Sequence, residues 1–317
     1  QARAALEADG VSLNASQWRA WTEALSRRLA LVWGPPGTGK SATLRAILRG
    51  ALVDARARGV GLRVLVTAPT YDAFDNVLEP SLPGLRRAFA GDTLTIRRLR
   101  SASKEAPRPE LRPFDLVVER STTRALCARL DASDGLTLVA ATAEQVSRLA
   151  SLDEEGVVRP WFDLVLVDEA SQMDVAHAAV ALSCLAPGGA VVVAGDPRQL
   201  PPIHPAEPPA GLAARVGSIY AYLADGHGVA AVMLEENYRS NAEIVGFTRR
   251  AGYGPSLRAW SPDLSLSLLS PVPTGRPADW PDALPWCDAW ARLLDPAHPT
   301  VCFVHPDERS SQWNRFE

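Results

Sequence analysis

The chain has 317 residues, 47% of them hydrophobic and 22% charged, so it can bury a sizeable core and is not disordered overall. Its 33 basic and 36 acidic side chains leave a formal charge of -3, which excludes a uniformly basic nucleic-acid coat but not one local basic groove. There is no apolar run of roughly 18 residues, so no spanning helix and no membrane role are expected. Cys127, Cys184, Cys287 and Cys302 have neither disulfide-scaffold nor zinc spacing, which points to a reducing compartment inside the cell. That is the cytoplasm in a bacterium, and the cytoplasm or nucleus in a eukaryote. Five scattered histidines show no metal-ligand spacing, so no structural metal is expected. Position 1 is Gln rather than Met, and the chain reads as an excised piece whose parent continues elsewhere.

In chain order, residues 14–30 have helical periodicity with Asn14 or Ser16 as cap. ALVW at 30–33 is a buried strand, GPPGTGKS at 34–41 a loop, and a long helix follows to Gly59 or Gly61. RVLVTAP at 63–69 is a second strand, with helix again from Ala73. TLTIRRL at 93–99 reads as a strand, 101–113 as a Pro-rich exposed loop, and 116–130 as helix. LTLVAAT at 136–142, FDLVLVDEA at 162–170 and GGAVVVAGD at 188–196 are further strands, separated by helical stretches at 143–152 and 173–184. This alternation predicts an α/β fold with a parallel sheet flanked by helices. One domain is expected over 1–205, with an inserted segment at about 79–136, and a second, incomplete one over 206–317. In the second, 206–229 reads as mostly helical, 232–240 as a strand and loop, 241–254 as a helix capped by Asn241, and 299–306 as a late strand.

Lys40 and Lys104 are the only lysines among the 33 basic residues. In so Arg-biased a chain, a lysine within the most glycine-rich segment marks a place that needs a compact ammonium rather than a planar fork. GPPGTGKS matches G-x-x-x-x-G-K-[ST] in full and lies between a strand and a helix, the context the motif requires. The glycines let backbone amides curl around phosphate oxygens, and the helix adds its amino-terminal dipole. Lys40 then reaches the β- and γ-phosphates of ATP, and Ser41 ligates Mg2+. Asp168 ends a strand and can hold the metal's shell, and Glu169 can act as general base for the attacking water. Gln199 follows another strand and can bond the γ-phosphate or that water. Arg239, offered across a domain cleft, can neutralise charge on the γ-phosphate, and Tyr238 can stack on a nucleobase.

LNASQ at 13–17, GPPGTGKS at 34–41, APTYDAFDNVL at 68–78, VDEASQM at 167–173, GDPRQLPP at 195–202 and LEENYRSNAEIVGF at 234–247 occur in an order that resembles a superfamily 1 helicase motor, in its Upf-like branch. The resemblance covers most of residues 12–255. It implies two RecA-like P-loop NTPase domains and ATP hydrolysis with Mg2+ coupled to movement on single-stranded DNA or RNA, 5′ to 3′ by the habit of the branch. It implies adenine recognition by Gln17 and stacking by Tyr238. Nucleotide is held by Gly34, Pro35, Pro36, Gly37, Thr38, Gly39, Lys40 and Ser41. Ser41 and Asp168 are metal-side residues, and Lys40, Asp168, Glu169, Gln199 and Arg239 the catalytic ones. Pro69, Thr70, Tyr71 and Thr142 touch the strand, with Asp75 and Asn76 in the same helical start.

Beside the resemblance, Tyr71 reads either as a stacking or as a packing residue, and IRRLR at 96–100 as a basic patch or a solvated strand edge. Five tryptophans from Trp260 to Trp313 either bury an irregular segment or mark a partner surface. The tail SSQWNRFE resembles the segment just before two further family motifs, which leads us to expect a chain that does not unwind by itself. A remodelling ATPase stimulated by nucleic acid is the nearest alternative, and a decayed interaction module the next. An unrelated P-loop switch or small-molecule kinase leaves GDPRQLPP and NYRS unexplained.

Overall fold

The computed structural model describes residues 2–91, 94–132, 135–151, 159–203, 212–263 and 276. Two helices, α1 (Ala2–Ala8) and α2 (Ala15–Ser26), precede β1 (Leu29–Trp33), α3 (Lys40–Arg58), β2 (Leu62–Thr67), α4 (Tyr71–Ala88) and β3 (Thr95–Arg100). Next come β4 (Asp115–Val117), α5 (Arg120–Ala132), β5 (Leu136–Ala141), α6 (Ala143–Ser151), β6 (Phe162–Val167), α7 (Val175–Ser183) and β7 (Leu185–Gly195). The remainder is short: α8 (Ala213–Val216), α9 (Ile219–Ala221), β8 (Ala231–Met233), β9 (Glu236–Asn237), α10 (Ala242–Thr248) and β10 (Arg258–Ala259).

Among the described residues, eight strands form one sheet in the order β4-β3-β5-β2-β6-β7-β1-β8. Every pairing in it is parallel, as the α/β reading requires. Successive side chains of a strand point to opposite faces, and β1 shows it: Ala30 and Val32 enter one core, Leu31 the other. The first core is roofed by α1 to α4 through residues such as Leu6, Trp21, Ile47, Leu48, Phe74 and Leu85. The second is closed by residues of α5, α6, α7 and α9, including Leu130, Val146, Ala178 and Ile219. Burial on both faces explains why the strands read as continuous apolar runs rather than alternating ones.

Caps fix the helices that carry function. Asn14 accepts from the Gln17 N–H while Gln17 Oε1 accepts from the Asn14 N–H, a reciprocal box at the start of α2. Thr70 caps α4 by accepting from Ala73, and Asn241 caps α10 by accepting from Ile244. α4 contains Pro80 and Pro83. Pro80 has no N–H for the carbonyl of Asn76, and Arg45 of α3 donates to that carbonyl instead, at 3.3 Å.

Three expectations change. First, residues 115–117 are strand, not the start of a helix, because Asp115 accepts from Arg98 and Arg100 of β3 and draws the segment alongside it. Second, IRRLR is neither an open basic patch nor a solvated edge: β3 is flanked on both sides, and Arg98 is 3% exposed, bidentate to Asp75 at 2.8 Å. Third, the sheet takes strands from segments that the reading set apart. The supposed insertion at 79–136 supplies β3 and β4 to the main sheet. The sheet also continues past residue 205, because β8 pairs with β1 at Leu31↔Ala231, Val32↔Val232 and Trp33↔Met233. Of the region expected to be helical, 212–226 carries only short turns of helix. The late strand at 299–306, the SSQWNRFE tail and every tryptophan after Trp260 lie outside the described residues.

Candidate active site

β6, β7 and β1 are adjacent, and their carboxyl ends share one edge of the sheet, where open α/β folds place ligands. At that edge the phosphate loop leaves β1 with the Gly34 N–H donating to Gly195 O at 2.9 Å. Gly37 and Gly39 have φ of 77° and 78°, in the left-handed region that favours glycine. Both are also pressed from outside. A Cβ on Gly37 would stand 2.7 Å from Arg239 Cβ, and one on Gly39 2.6 Å from Gln17 Nε2. Thr38 is fully buried, and its hydroxyl donates to Pro35 O at 2.7 Å, so the loop is shaped before any ligand arrives.

α3 begins at Lys40, so Lys40 and Ser41 stand at the mouth of its first turn. Lys40 Nζ lies 3.1 Å from Asp168 Oδ1 and 2.6 Å from Glu169 Oε1. Burial works to lower the Lys40 pKa, but the charges of Asp168 and Glu169 outweigh it and hold the ammonium above its ordinary value. Burial pushes the Asp168 carboxyl up, against the pull of Lys40 and with the push of Glu169. Lys40 Nζ is engaged by both carboxylates, whereas the buried Glu169 Oε2 has no hydrogen-bond partner among the described residues, so the mouth of the cleft holds acceptor capacity that the protein does not use.

Glu169 is the one non-glycine among the described residues with positive φ, at 49°. Its N–H donates to Asp168 Oδ1 and its carbonyl accepts from Gln172, a turn that swings the carboxylate back over the phosphate loop. Strain of this kind costs on the order of 1–3 kcal/mol and collects at functional sites.

Asp196, fully buried at the end of β7, ties three parts of the site together. Its Oδ1 accepts from Trp33 Nε1 at 3.1 Å and from the Arg198 N–H. Its Oδ2 accepts from Tyr253 OH at 2.8 Å and from Gln199 Nε2 at 3.3 Å. Trp33 immediately precedes the loop, Gln199 lines the cleft, and Tyr253 belongs to the segment after α10.

Asn237 performs a similar office for Tyr238 and Arg239. Its Nδ2 donates to Pro36 O at 2.7 Å, and its Oδ1 accepts from the N–H groups of Arg239 and Ser240. The Tyr238 N–H donates to Gly37 O at 2.8 Å. The two residues are thereby laid across the phosphate loop. Tyr238 is 41% exposed, receives a hydrogen bond from Asn14 Nδ2, and stands 5.7 Å from the exposed ring of Trp260.

The resulting cleft holds about 530 Å³, in the size range of small-molecule sites. Gly34, Pro35, Pro36, Gly37, Gly39, Lys40, Ser41, Glu169, Gln199, Tyr238 and Arg239 line it, so most of the expected nucleotide residues converge. Gln17 and Thr38 do not. Gln17 is 4% exposed and lies behind the loop, donating to Thr38 O at 3.1 Å.

Of the four expected strand-contact residues, two line a common cavity, and Thr70 and Tyr71 follow Pro69 directly in the chain. Pro69 and Thr142 line a separate cavity of about 250 Å³ with Gln172, His177 and Ile203. The Thr142 hydroxyl has no partner among the described residues. Thr70 is committed to its cap. Tyr71 packs on Phe74, lies under Arg98, and accepts from the Ser101 N–H. Asp75 is committed to Arg98. Sequence reasoning missed Asn237, the Tyr253–Asp196 bond and the turn at Glu169. Residue type alone carries no signal for any of them, although Asp196 lay within a segment already singled out.

A family model described as an AAA domain matches residues 12–241. Among curated proteins, the mouse DNA replication ATP-dependent helicase/nuclease DNA2 is 28% identical over 293 residues, covering 90% of this chain and 25% of its own length. The rat DNA-binding protein SMUBP-2 is 28% identical over 305 residues, covering 83% of this chain and 29% of its own. The chain therefore spans little more than a quarter of these relatives. Among solved structures, the Pif1 helicase from Candida albicans aligns over 72% of this chain and 40% of its own, at 19% identity and a TM-score of 0.36.

Proposed function

The chain belongs to the AAA domain family, and on that premise we propose that it is the ATP-hydrolysing part of a helicase or translocase that acts on single-stranded nucleic acid. One observation carries the reading: Lys40, Glu169, Gln199 and Arg239, drawn from four separate segments, face one cleft built on a phosphate loop. A phosphoryl-transfer site needs positioning and charge stabilisation more than covalent chemistry, and these side chains supply both. Backbone amides of residues 37–41 cradle the phosphates. Lys40 leaves its carboxylate partners to neutralise the β- and γ-oxygens. Glu169 takes the proton of the attacking water, Gln199 orients that water or senses the γ-phosphate, and Arg239 answers the charge that develops there. Tyr238 offers its ring to adenine, and Gln17 acts by fixing the loop from behind as well as by any contact with the base.

Mg2+ fits this donor set. No group of three or more His, Cys, Asp or Glu that could hold a metal is found among the described residues. The ion typically relies on one or two protein oxygens together with substrate phosphates, and the Ser41 hydroxyl and Asp168 would supply them. When bound, it would supply positive charge against the phosphate oxygens. The nucleic-acid partner is supported by the relatives, a DNA replication ATP-dependent helicase/nuclease and a DNA-binding protein. Pro69 and Thr142 are the strand-contact candidates that remain, with Thr70 beside them and Tyr71 behind in a supporting role.

The test is ATP hydrolysis by the full-length protein, with and without single-stranded DNA and RNA. Strong stimulation by one polymer supports the motor and chooses its track. Hydrolysis indifferent to both favours a protein remodeller or switch, and a folded protein with no hydrolysis favours an interaction module.

A further inference from the structure

A cavity of about 320 Å³ lies between α3, α4 and the segment after α1. Its charged lining is Arg45 and Arg49 from α3, Arg87 from α4, and a single acid, Asp9. Three guanidinium groups therefore face one carboxylate.

Arg49 is the informative member. Its side chain is 8% exposed, and it pairs through Nη2 with Asp9. Its Nε is buried and has no hydrogen-bond partner among the described residues. Buried charges are ordinarily paired and hydrogen-bonded in full, so a buried guanidinium with donor capacity left over is a costly arrangement without a ligand. Burial, and then the charge of Arg87, pulls the Arg49 pKa below its ordinary value. The neighbouring cations therefore repel one another in the empty cavity. Arg45 spends one donor on the carbonyl freed by Pro80 and keeps others for the cavity. α4 makes room here: Gly84 lies against Arg49, where an added Cβ would stand 3.0 Å from Nη1.

We propose that this cavity is a second anion site, taking a small phosphate group such as inorganic phosphate, pyrophosphate or a phosphate monoester. Guanidinium groups match phosphate geometry with paired donors, and an anion would neutralise the excess positive charge. The volume lies at the lower end of ligand pockets, which suits a small anion better than a polymer strand. Ala42 and Arg45 line both this cavity and the nucleotide cleft, so the two adjoin along the first turns of α3. The proposal does not depend on the motor reading.

The experiment is calorimetric titration of the chain with inorganic phosphate and with pyrophosphate, at constant ionic strength, in a Lys40→Ala background that disables the phosphate loop. One saturable site is expected to remain. Adding Arg49→Leu should weaken it by at least ~10-fold, the loss of a charge-assisted hydrogen bond. Arg49 is buried and its variant could fail to fold, so Arg87→Gln on the exposed rim is the second probe, expected to weaken binding by ~2- to 5-fold. Loss of all phosphate binding in Lys40→Ala alone, or unchanged affinity in Arg87→Gln, overturns the site. Competition by a single-stranded dT oligonucleotide stronger than by pyrophosphate overturns the small-ligand assignment and gives the cavity to a nucleic-acid backbone.

Discussion

At the scale of the residue, the cleft depends on places where a side chain has no alternative. Gly37 needs its left-handed backbone and the space taken by Arg239 and Asn237. Gly37→Ala is expected to cost about 1–2 kcal/mol in backbone strain alone and to weaken ATP binding, read by equilibrium binding and thermal melting. Asp168 makes an opposite case. Because burial raises its folded pKa, its contribution to stability is present below the unfolded value near 4 and is lost as pH rises through the shifted value. Asp168→Asn should therefore raise the melting temperature at neutral pH, by about 2–4 °C for each ~1 kcal/mol regained, and flatten the pH profile while hydrolysis disappears. A lower melting temperature at pH 7 would show that the Lys40 pair outweighs the burial cost. GPPGTGKS and the Asp-Glu pair were readable in advance because each chemistry demands those residue types at that spacing. The positive φ of Glu169 and the role of Asn237 were not, since they arise from which segments meet.

At the scale of the element, the ion-paired strand β3 is the clearest lesson. Arg98, with Asp75 and Asp115, joins α4, β3 and β4 inside the protein. Removing one member leaves buried carboxylates uncompensated, so Arg98→Leu is expected to destabilise by about 3–5 kcal/mol in urea denaturation. Arg97→Leu, on the neighbouring and more exposed position, should stay within about 0.5–1 kcal/mol. Similar costs for the two would contradict the buried role assigned to Arg98. Helices and strands with long apolar periodicity, such as α3, β2 and β6, were legible within a few residues. β4 was not, because three residues give too little periodicity and its identity as a strand comes from a distant partner, Arg98 to Arg100; β8 was legible as a strand, but the sheet it joins is set by Leu31 to Trp33 and was not.

At the scale of the whole molecule, the described chain is one parallel sheet to which the segment bearing Tyr238 and Arg239 is bound. β8 at its edge delivers that segment, Asn237 fastens it to Pro36, and Tyr253 fastens its far end to Asp196. That β8 joins the main sheet past residue 205 was not legible, because hydrophobic pattern marks elements, not which sheet they join. Tyr253→Phe should leave ATP affinity within ~3-fold but slow hydrolysis by about 10-fold, equivalent to ~1.4 kcal/mol of barrier, through misplaced Gln199. An equal loss in both quantities would point instead to general unfolding of the segment.

On the proposed function, one cleft both binds ATP and splits it, with Glu169 needed only for the second act. The direct measurement is ATP affinity and single-turnover hydrolysis in the full-length protein carrying Glu169→Gln, beside Lys40→Ala. Glu169→Gln is expected to hold ATP at near wild-type affinity while hydrolysis falls by roughly 10²- to 10⁴-fold, the usual worth of a general base, and Lys40→Ala to lose binding itself. Hydrolysis by Glu169→Gln within a few-fold of wild type, or loss of its ATP binding, would contradict the account.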